Sequence, residues 1–337
     1  MKLFIQVSPA FYKTLMFNKL CKKESIKVVY QENPERAFRS SDFLSGEKEF
    51  DNYTQTGRRL KICLDLIRLL LSTKYDELIT GGYDTVYCWI AVLLSPKRKN
   101  SIIVESTFRE TKKKGFPAFM KRLFFKRVRK AYVCGKSHAD LVSAFGFKGR
   151  IIDIGTVGLI HLVPQPPYEE RKIVKNFIFV GRLTAVKNLK WLFQRFAYHP
   201  ELKLTIIGSG EEEKELKELA PNNVNFLGSI PNAELPMYYK SADVFILPSY
   251  YETYGLVVEE ALNNGTPVFL SHMVGCQDNL VVANNVGLVF KLDDIDDFER
   301  KLAQICNVEF YNEIRYNISK MDFEAHANNM VNSFVGE

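Results

Sequence analysis

The chain has 337 residues, with 46 lysines and arginines against 39 aspartates and glutamates and a formal net charge of +7. That length accommodates two ordinary α/β domains, and 46% apolar with 25% charged residues is a globular composition rather than a disordered or fibrous one. Six scattered cysteines without a CxxC pair exclude a zinc-ribbon pattern and a disulfide framework and predict reduced thiols, as in the cytosol; the strand-like run Met1 to Ser8 lacks the longer apolar stretch expected of a signal peptide, and the longest apolar run, near Val86 to Leu94, is too short to span a bilayer.

The first half alternates apolar, strand-like runs with helix-competent stretches. Strands are expected at Lys2–Val7, Ile26–Tyr30, Glu77–Thr80, Ser101–Val104, Lys130–Cys134 and Arg150–Ile154, with helices between them such as Leu60–Leu71. A βαβα alternation implies a parallel sheet covered on both faces. The segment 109–130 is densely basic, from Lys112 to Lys130, and places Phe116, Phe119, Met120, Leu123, Phe124 and Val128 at helical spacing. A core helix with a solvated basic back explains the spacing. The excess of one charge sign predicts, in addition, contact with an anionic membrane surface. No nucleic-acid recognition motif accompanies the patch, so nucleic acid is not expected as a partner. At His161-Leu162-Val163-Pro164-Gln165-Pro166-Pro167 the pattern breaks, and the prolines predict a linker.

The second half repeats the plan, with strands expected at Phe177–Gly181, Leu202–Gly208, Val224–Gly228, Val244–Pro248, Pro267–Ser271 and Gly287–Phe290. The whole reads as two doubly wound, Rossmann-like α/β domains facing each other across a cleft. The first covers residues 1–165 and the second 166–317, followed by a helix-competent tail, 318–337. The richest stretch runs from Ser249 through Glu252, Tyr254, Gly255 and Leu256 to Glu260 and Leu262, and Gly265 is expected to stop its helix. Glu252 then sits beyond a strand's C-terminal end and Glu260 inside the following helix, where open α/β sheets bind ligands. If the intervening residues are mostly helical, the carboxylates lie roughly 10 Å apart. That span suits one nucleotide-sugar, with a carboxylate at the sugar hydroxyls and another at the ribose hydroxyls. An acidic helix start is the plainer alternative.

This stretch resembles the E-x7-E signature of family 4 retaining glycosyltransferases, which have the GT-B fold, and that resemblance implies that the tail 318–337 rejoins the first domain. Phe177-Ile178-Phe179-Val180-Gly181-Arg182-Leu183-Thr184-Ala185-Val186-Lys187 resembles the same family's strand–G–R–x4–K element. The resemblance implies a nucleoside diphosphate leaving group held by Arg182 and Lys187, where fixed cations stabilise the charge that grows on the β-phosphate. Backbone amides of Tyr254, Gly255 and Leu256, at a helix start, are further candidate donors to phosphate. Gly208 and Gly210 follow a strand in a turn that lies beside the nucleotide in this family, and Leu227 stands where the family borders the base. Glu105 occupies the loop where many members carry a His or acidic residue at the reacting centre; a loop carboxylate at a helix N-cap is the alternative. His138, just past another strand end, is a weaker candidate with a structural alternative. Asp294-Ile295-Asp296 spells a metal-binding D-x-D but reads as an acidic helix start, and with Arg182 and Lys187 present no metal or cofactor is expected.

The resemblance is close from about Phe177 to Phe290 and architectural before that. Ser8-Pro9-Ala10-Phe11-Tyr12 replaces the family's glycine-rich loop after the first strand, and Ser271 to Asp278 keeps only Gly275. What it implies is a metal-independent, retaining enzyme of the cytosol, peripheral on the membrane. It would move a sugar from a nucleotide-sugar, UDP-linked before GDP-linked, to a glycan or lipid-linked acceptor in envelope polysaccharide synthesis. A non-catalytic nucleotide-sugar-binding protein is one alternative. An NAD-dependent oxidoreductase is another, weakened because Glu213 stands where a third glycine would follow Gly208 and Gly210.

Overall fold

The computed structural model describes residues 1–31, 46–107, 111 and 114–336. It divides into two units, Met1–Leu159 with Ala325–Glu337, and Ile160–Glu324.

Unit 1 is built on a parallel sheet of seven strands: β1 Lys2–Gln6, β2 Ile26–Gln31, β3 Asp51–Gln55, β4 Glu77–Thr80, β5 Asn100–Val104, β6 Lys130–Val133 and β7 Arg150–Asp153, in the order β3-β2-β1-β4-β5-β6-β7. Six of these match the apolar runs of the sequence. β3 does not, because DNYTQ is an edge strand with four of its five residues exposed and so carries no apolar run. The central strands β1, β4 and β5 are buried throughout, as parallel strands covered on both faces must be.

One face carries α1 (Phe11–Leu20) and the C-terminal helix α12 (Phe323–Asn332). Phe4 of β1 meets Phe17 and Phe334 there, and Tyr132 stacks on Phe334 at 4.4 Å. The other face carries α2 (Arg59–Ser72), α3 (Val86–Leu94), α4 (Gly115–Lys126) and α5 (Lys136–Ala144). Leu66 and Leu70 of α2 share a core with Ala91 of α3, while Cys88 and Val92 of α3 share another with Ala118, Phe124 and Phe125 of α4. α3 therefore lies between its neighbours.

The basic segment differs from its expected form. α4 ends at Lys126, so Val128 is not on it, and its buried face is Ala118, Phe124 and Phe125 while Phe116 and Phe119 are exposed. Arg127 caps the C-terminus of α3, donating to the carbonyls of Val92, Leu93 and Ser95. Arg109, Lys112 and Lys113 lie outside the described residues.

Unit 2 is a parallel six-stranded sheet: β8 Asn176–Val180, β9 Lys203–Ile207, β10 Val224–Gly228, β11 Val244–Leu247, β12 Val268–Ser271 and β13 Gly287–Phe290, in the order β10-β9-β8-β11-β12-β13. Its helices are α6 Leu189–Phe196, α7 Glu213–Leu219, α8 Leu235–Ser241, α9 Leu256–Asn263, α10 Ile295–Cys306 and α11 Val308–Ser319. An aromatic cluster of Trp191, Phe269, Phe290 and Phe298 ties α6 and α10 to β12 and β13.

The unit boundaries fall at Leu159/Ile160 and Glu324/Ala325, earlier and later than the expected 165/166 and 317/318 divisions. Hydrogen bonds explain the first shift. Val163 pairs through its backbone with the Asn263 side chain, and Gln165 donates to the Ile318 carbonyl, so the proline segment packs with unit 2.

Candidate active site

In unit 2 the strand order reverses between β8 and β11, the place where open α/β sheets bind ligands at their strands' C-terminal ends. The loops after β8 and β11 carry the sequence-predicted residues. β8 runs into Gly181 and Arg182, a 3-10 turn at Ala185–Lys187, then Asn188 in the left-handed region at φ 58°, then α6. Two bonds join this loop to the one after β11: Asn188 Nδ2 donates to the Pro248 carbonyl at 3.2 Å, and the Tyr250 amide donates to the Val186 carbonyl at 2.8 Å. That tie brings Lys187 against Glu252, and their side chains form an ion pair. Arg182 is exposed and makes no ion pair among the described residues.

Glu252 is held through its backbone. Its amide donates to the Met273 carbonyl at 3.0 Å and its carbonyl accepts from Gly275 at 2.9 Å. A side chain at 275 would come within 2.0 Å of the Thr253 carbonyl oxygen, which accounts for the one glycine the loop after β12 keeps. The chain then passes through buried Tyr254 and Gly255 at φ 99° into α9. Only Leu256 onward is helical, so the helical-rise estimate of the Glu252–Glu260 separation applies to half of that span. Of the first-turn amides of α9, Val258 donates to the Gly255 carbonyl at 2.9 Å, while those of Leu256 and Val257 precede any intrahelical acceptor, in a dipole that favours an anion.

Glu260, on α9, accepts a hydrogen bond from the Tyr239 hydroxyl of α8 at 3.2 Å. Burial pushes its carboxyl up to about 7, and the Tyr239 bond opposes that rise only in part. Tyr239 is missing from the sequence reading: it lies 21 residues away on another helix, in no motif, and only the fold brings it to Glu260.

Gly208 and Gly210 line the turn after β9, which packs on the Arg182 loop. Leu183 donates to the Ser209 carbonyl at 2.9 Å, and Glu212 donates to the Leu183 carbonyl at 3.1 Å. A Cβ at Gly208 would lie 1.9 Å from the Gly181 carbonyl oxygen, and one at Gly210 would lie 2.3 Å from that of Leu183. Both glycines therefore have a packing reason to be there. Leu227 is exposed on β10.

In unit 1, Glu105 follows β5 and pairs with buried Lys13 of α1, another partner that no motif announced. His138 is fully buried. Its Nδ1 lies 2.8 Å from the Cys134 carbonyl oxygen and its Nε2 3.2 Å from that of Glu105, and burial lowers its pKa. It joins the ends of β5 and β6 and has no ring nitrogen left for a substrate. Asp294 is the N-cap of α10, accepting from the Asp297 amide at 2.9 Å, as an acidic helix start predicts.

Residues 165–321 match the family model of glycosyl transferases group 1. Among curated relatives, an uncharacterized glycosyltransferase of Methanocaldococcus jannaschii is 38% identical over 112 residues, 31% of this chain and 29% of the relative. A GDP-mannose-dependent alpha-mannosyltransferase of Mycolicibacterium smegmatis is 34% identical over 141 residues, 42% of this chain and 36% of the relative. The matched regions thus span well under half the length of those two relatives. The fold extends further. The lipopolysaccharide outer core galactosyltransferase WaaB superposes with a TM-score of 0.71 at 19% identity, covering 99% of each chain. WaaG, a glycosyltransferase involved in lipopolysaccharide biosynthesis, gives 0.63 at 13%, covering all of both. The fold is GT-B.

Proposed function

We propose, for a chain whose residues 165–321 form a glycosyl transferases group 1 domain, that it moves a sugar from a nucleoside diphosphate sugar to a glycan or lipid-linked acceptor, with retention and without a metal ion. The observation that carries this reading is the Lys187–Glu252 pair at the strand-order reversal. The two groups are the complements of a donor's two halves, an ammonium for the diphosphate and a carboxylate for sugar hydroxyls. Without ligand they neutralise each other. An arriving diphosphate competes for Lys187 and frees Glu252 to accept from the sugar. Arg182 offers a guanidinium fork to the same phosphate oxygens, and the start of α9 offers oriented amides. Two fixed cations stabilise the leaving diphosphate as the glycosidic bond breaks, which supports a metal-independent reading. Glu260, reached by the same ligand's ribose, accepts from its hydroxyls.

Acceptor recognition is assigned to unit 1, and envelope glycan synthesis is the setting that fits such an acceptor. Six free thiols fit the cytosol. A UDP-sugar is the expected donor. The GDP-mannose-dependent relative at 34% identity favours GDP as the second reading.

A thermal-shift series with UDP, GDP, ADP, their sugar derivatives and NAD, each with and without EDTA, tests the site. A ligand at 100 times its Kd adds about 2.7 kcal/mol of stability. A shift with one nucleoside diphosphate that EDTA leaves unchanged supports the reading. A shift with NAD alone, or one abolished by EDTA, overturns it.

A further inference from the structure

α3 is Val86-Tyr87-Cys88-Trp89-Ile90-Ala91-Val92-Leu93-Leu94, without a charged residue. A helix apolar all round belongs inside a core or against lipid, whereas one lying on a sheet ordinarily turns polar residues outward. α3 lies on the sheet, yet only Cys88, Ala91 and Val92 are buried. Val86 and Leu93 remain 53% and 56% exposed, Leu94 is exposed, and Trp89 and Ile90 are half-buried between them. Positions 86, 89, 90, 93 and 94 form one stripe along the helix.

The neighbours continue the stripe instead of ending it. α2, packed on one side of α3, exposes Leu60, Leu64 and Leu71, and α4, packed on the other, exposes Phe116 and Phe119. Around this apolar band stand cations: Arg59 and Lys61 on α2, Lys97 and Arg98 just beyond α3, and Lys126 on α4, all exposed. Asp65, paired with Arg68, is the one acidic residue on α2, and none occurs between Asp84 and Glu105 or between Glu110 and Asp140, so cations outnumber carboxylates along this face. Arg127 and Lys99 turn inward instead, Arg127 as a cap for α3 and Lys99 to the Tyr75 carbonyl.

From this arrangement we infer that the α2–α3–α4 face of unit 1 is a docking surface for an anionic lipid bilayer, with the α3 stripe entering the interface and the cations at headgroup level. The sign of the charge selects the occupant. An apolar band with a basic rim complements an anionic leaflet, whereas two copies of one basic face repel. No described helix is long and apolar enough to cross a membrane, so attachment is in the plane of the surface. The inference goes beyond sugar transfer and does not depend on it. It also moves the lipid contact from the 109–130 segment alone to a face centred on α3.

Vesicle co-sedimentation of the full chain tests it. Binding is expected to vesicles of phosphatidylcholine mixed with phosphatidylglycerol, to weaken with salt, and to be slight on phosphatidylcholine alone. Val86→Glu combined with Leu93→Glu, both exposed in the native protein, is expected to lower partitioning at least about tenfold with an unchanged urea midpoint. A second readout needs no change to the face. Trp191→Phe leaves Trp89 as the only tryptophan, and its fluorescence is expected to be quenched by lipids brominated along the acyl chain. Absence of vesicle binding, or binding without Trp89 quenching, overturns the inference. So does self-association in lipid-free buffer that the double variant abolishes, since the face would then be a protein interface.

Discussion

Glu260 and Lys187 set what single residues of this site can do. Glu260 has the Tyr239 hydroxyl as partner and a pKa of about 7, above the ordinary 4.5 because burial disfavours its charge. The sign follows. Below 4.5 the carboxyl is neutral in folded and unfolded chains alike, between those values only the unfolded chain ionises, and above 7 both do. In the ligand-free protein, burial at this position therefore subtracts stability as pH rises from 4.5 to 7, and Glu260→Gln is expected to remove that decline in urea titrations. Ribose hydroxyls want the charged form, so the donor KM is expected to fall as pH rises through 7. Tyr239→Phe deletes the bond that favours the anion. It should move that midpoint upward and raise the donor KM with kcat nearly unchanged, read from pH profiles of both constants. Lys187→Ala should instead lower kcat more than tenfold, about 1.4 kcal/mol or more of transition-state stabilisation, with circular dichroism intact. Near-normal turnover would remove Lys187 from the phosphate site. The sequence made Glu252, Glu260 and Lys187 visible because they fall in two short motifs that resemble a known family's, each beginning at a strand end. Tyr239 and Lys13 were invisible because their partners are close only in three dimensions.

At the scale of elements, legibility followed burial. Val244–Leu247 is buried on both faces and reads as an uninterrupted apolar run, while Asp51–Gln55, exposed along one edge, leaves no such trace. Loop chemistry was half legible. Gly208 and Gly210 were visible as a turn, but their purpose is steric: the turn after β9 leans on the turn after β8 at carbonyl contact. Gly208→Ala adds a Cβ 1.9 Å from the Gly181 oxygen at a φ of 134°. It is expected to cost about 2 kcal/mol or more and to weaken nucleotide binding by displacing the Arg182 loop. Both effects can be read from one melting series with and without ligand, and an unperturbed melt would mean that the two turns yield freely. Asp294→Ala separates a cap from a metal ligand. Loss of the bond to the Asp297 amide should cost about 1 kcal/mol, while activity with and without EDTA should not change. A change confined to the EDTA arm would restore the D-x-D reading.

At the scale of the whole molecule, the chain leaves unit 1 at Leu159, completes unit 2, and returns at Ala325. Periodicity shows that the last residues are helical and says nothing about which sheet they cover; the expectation that they rejoin the first domain came from the resemblance. The physical reason lies in a few contacts. Lys23 bonds Asn332 at 2.7 Å, the Gly336 amide donates to Glu24 at 2.7 Å, and Phe334, fully buried, stacks on Tyr132 of β6 and meets Phe4 of β1 edge-on. The ring fills a place that unit 1's own first 159 residues leave unfilled. The core of β1 and β6 is therefore complete only once Phe334 has been made. Phe334→Ala leaves a cavity against two strands and is expected to cost about 3–5 kcal/mol. Because Phe4 and Tyr132 both belong to unit 1, the loss should fall there. Amide hydrogen exchange should quicken in β1 and β6 well before it does in β8 and β11. Equal acceleration in all four strands would mean that the ring's contribution is shared by the entire chain, and no acceleration would mean that the C-terminal helix is held by its polar contacts alone.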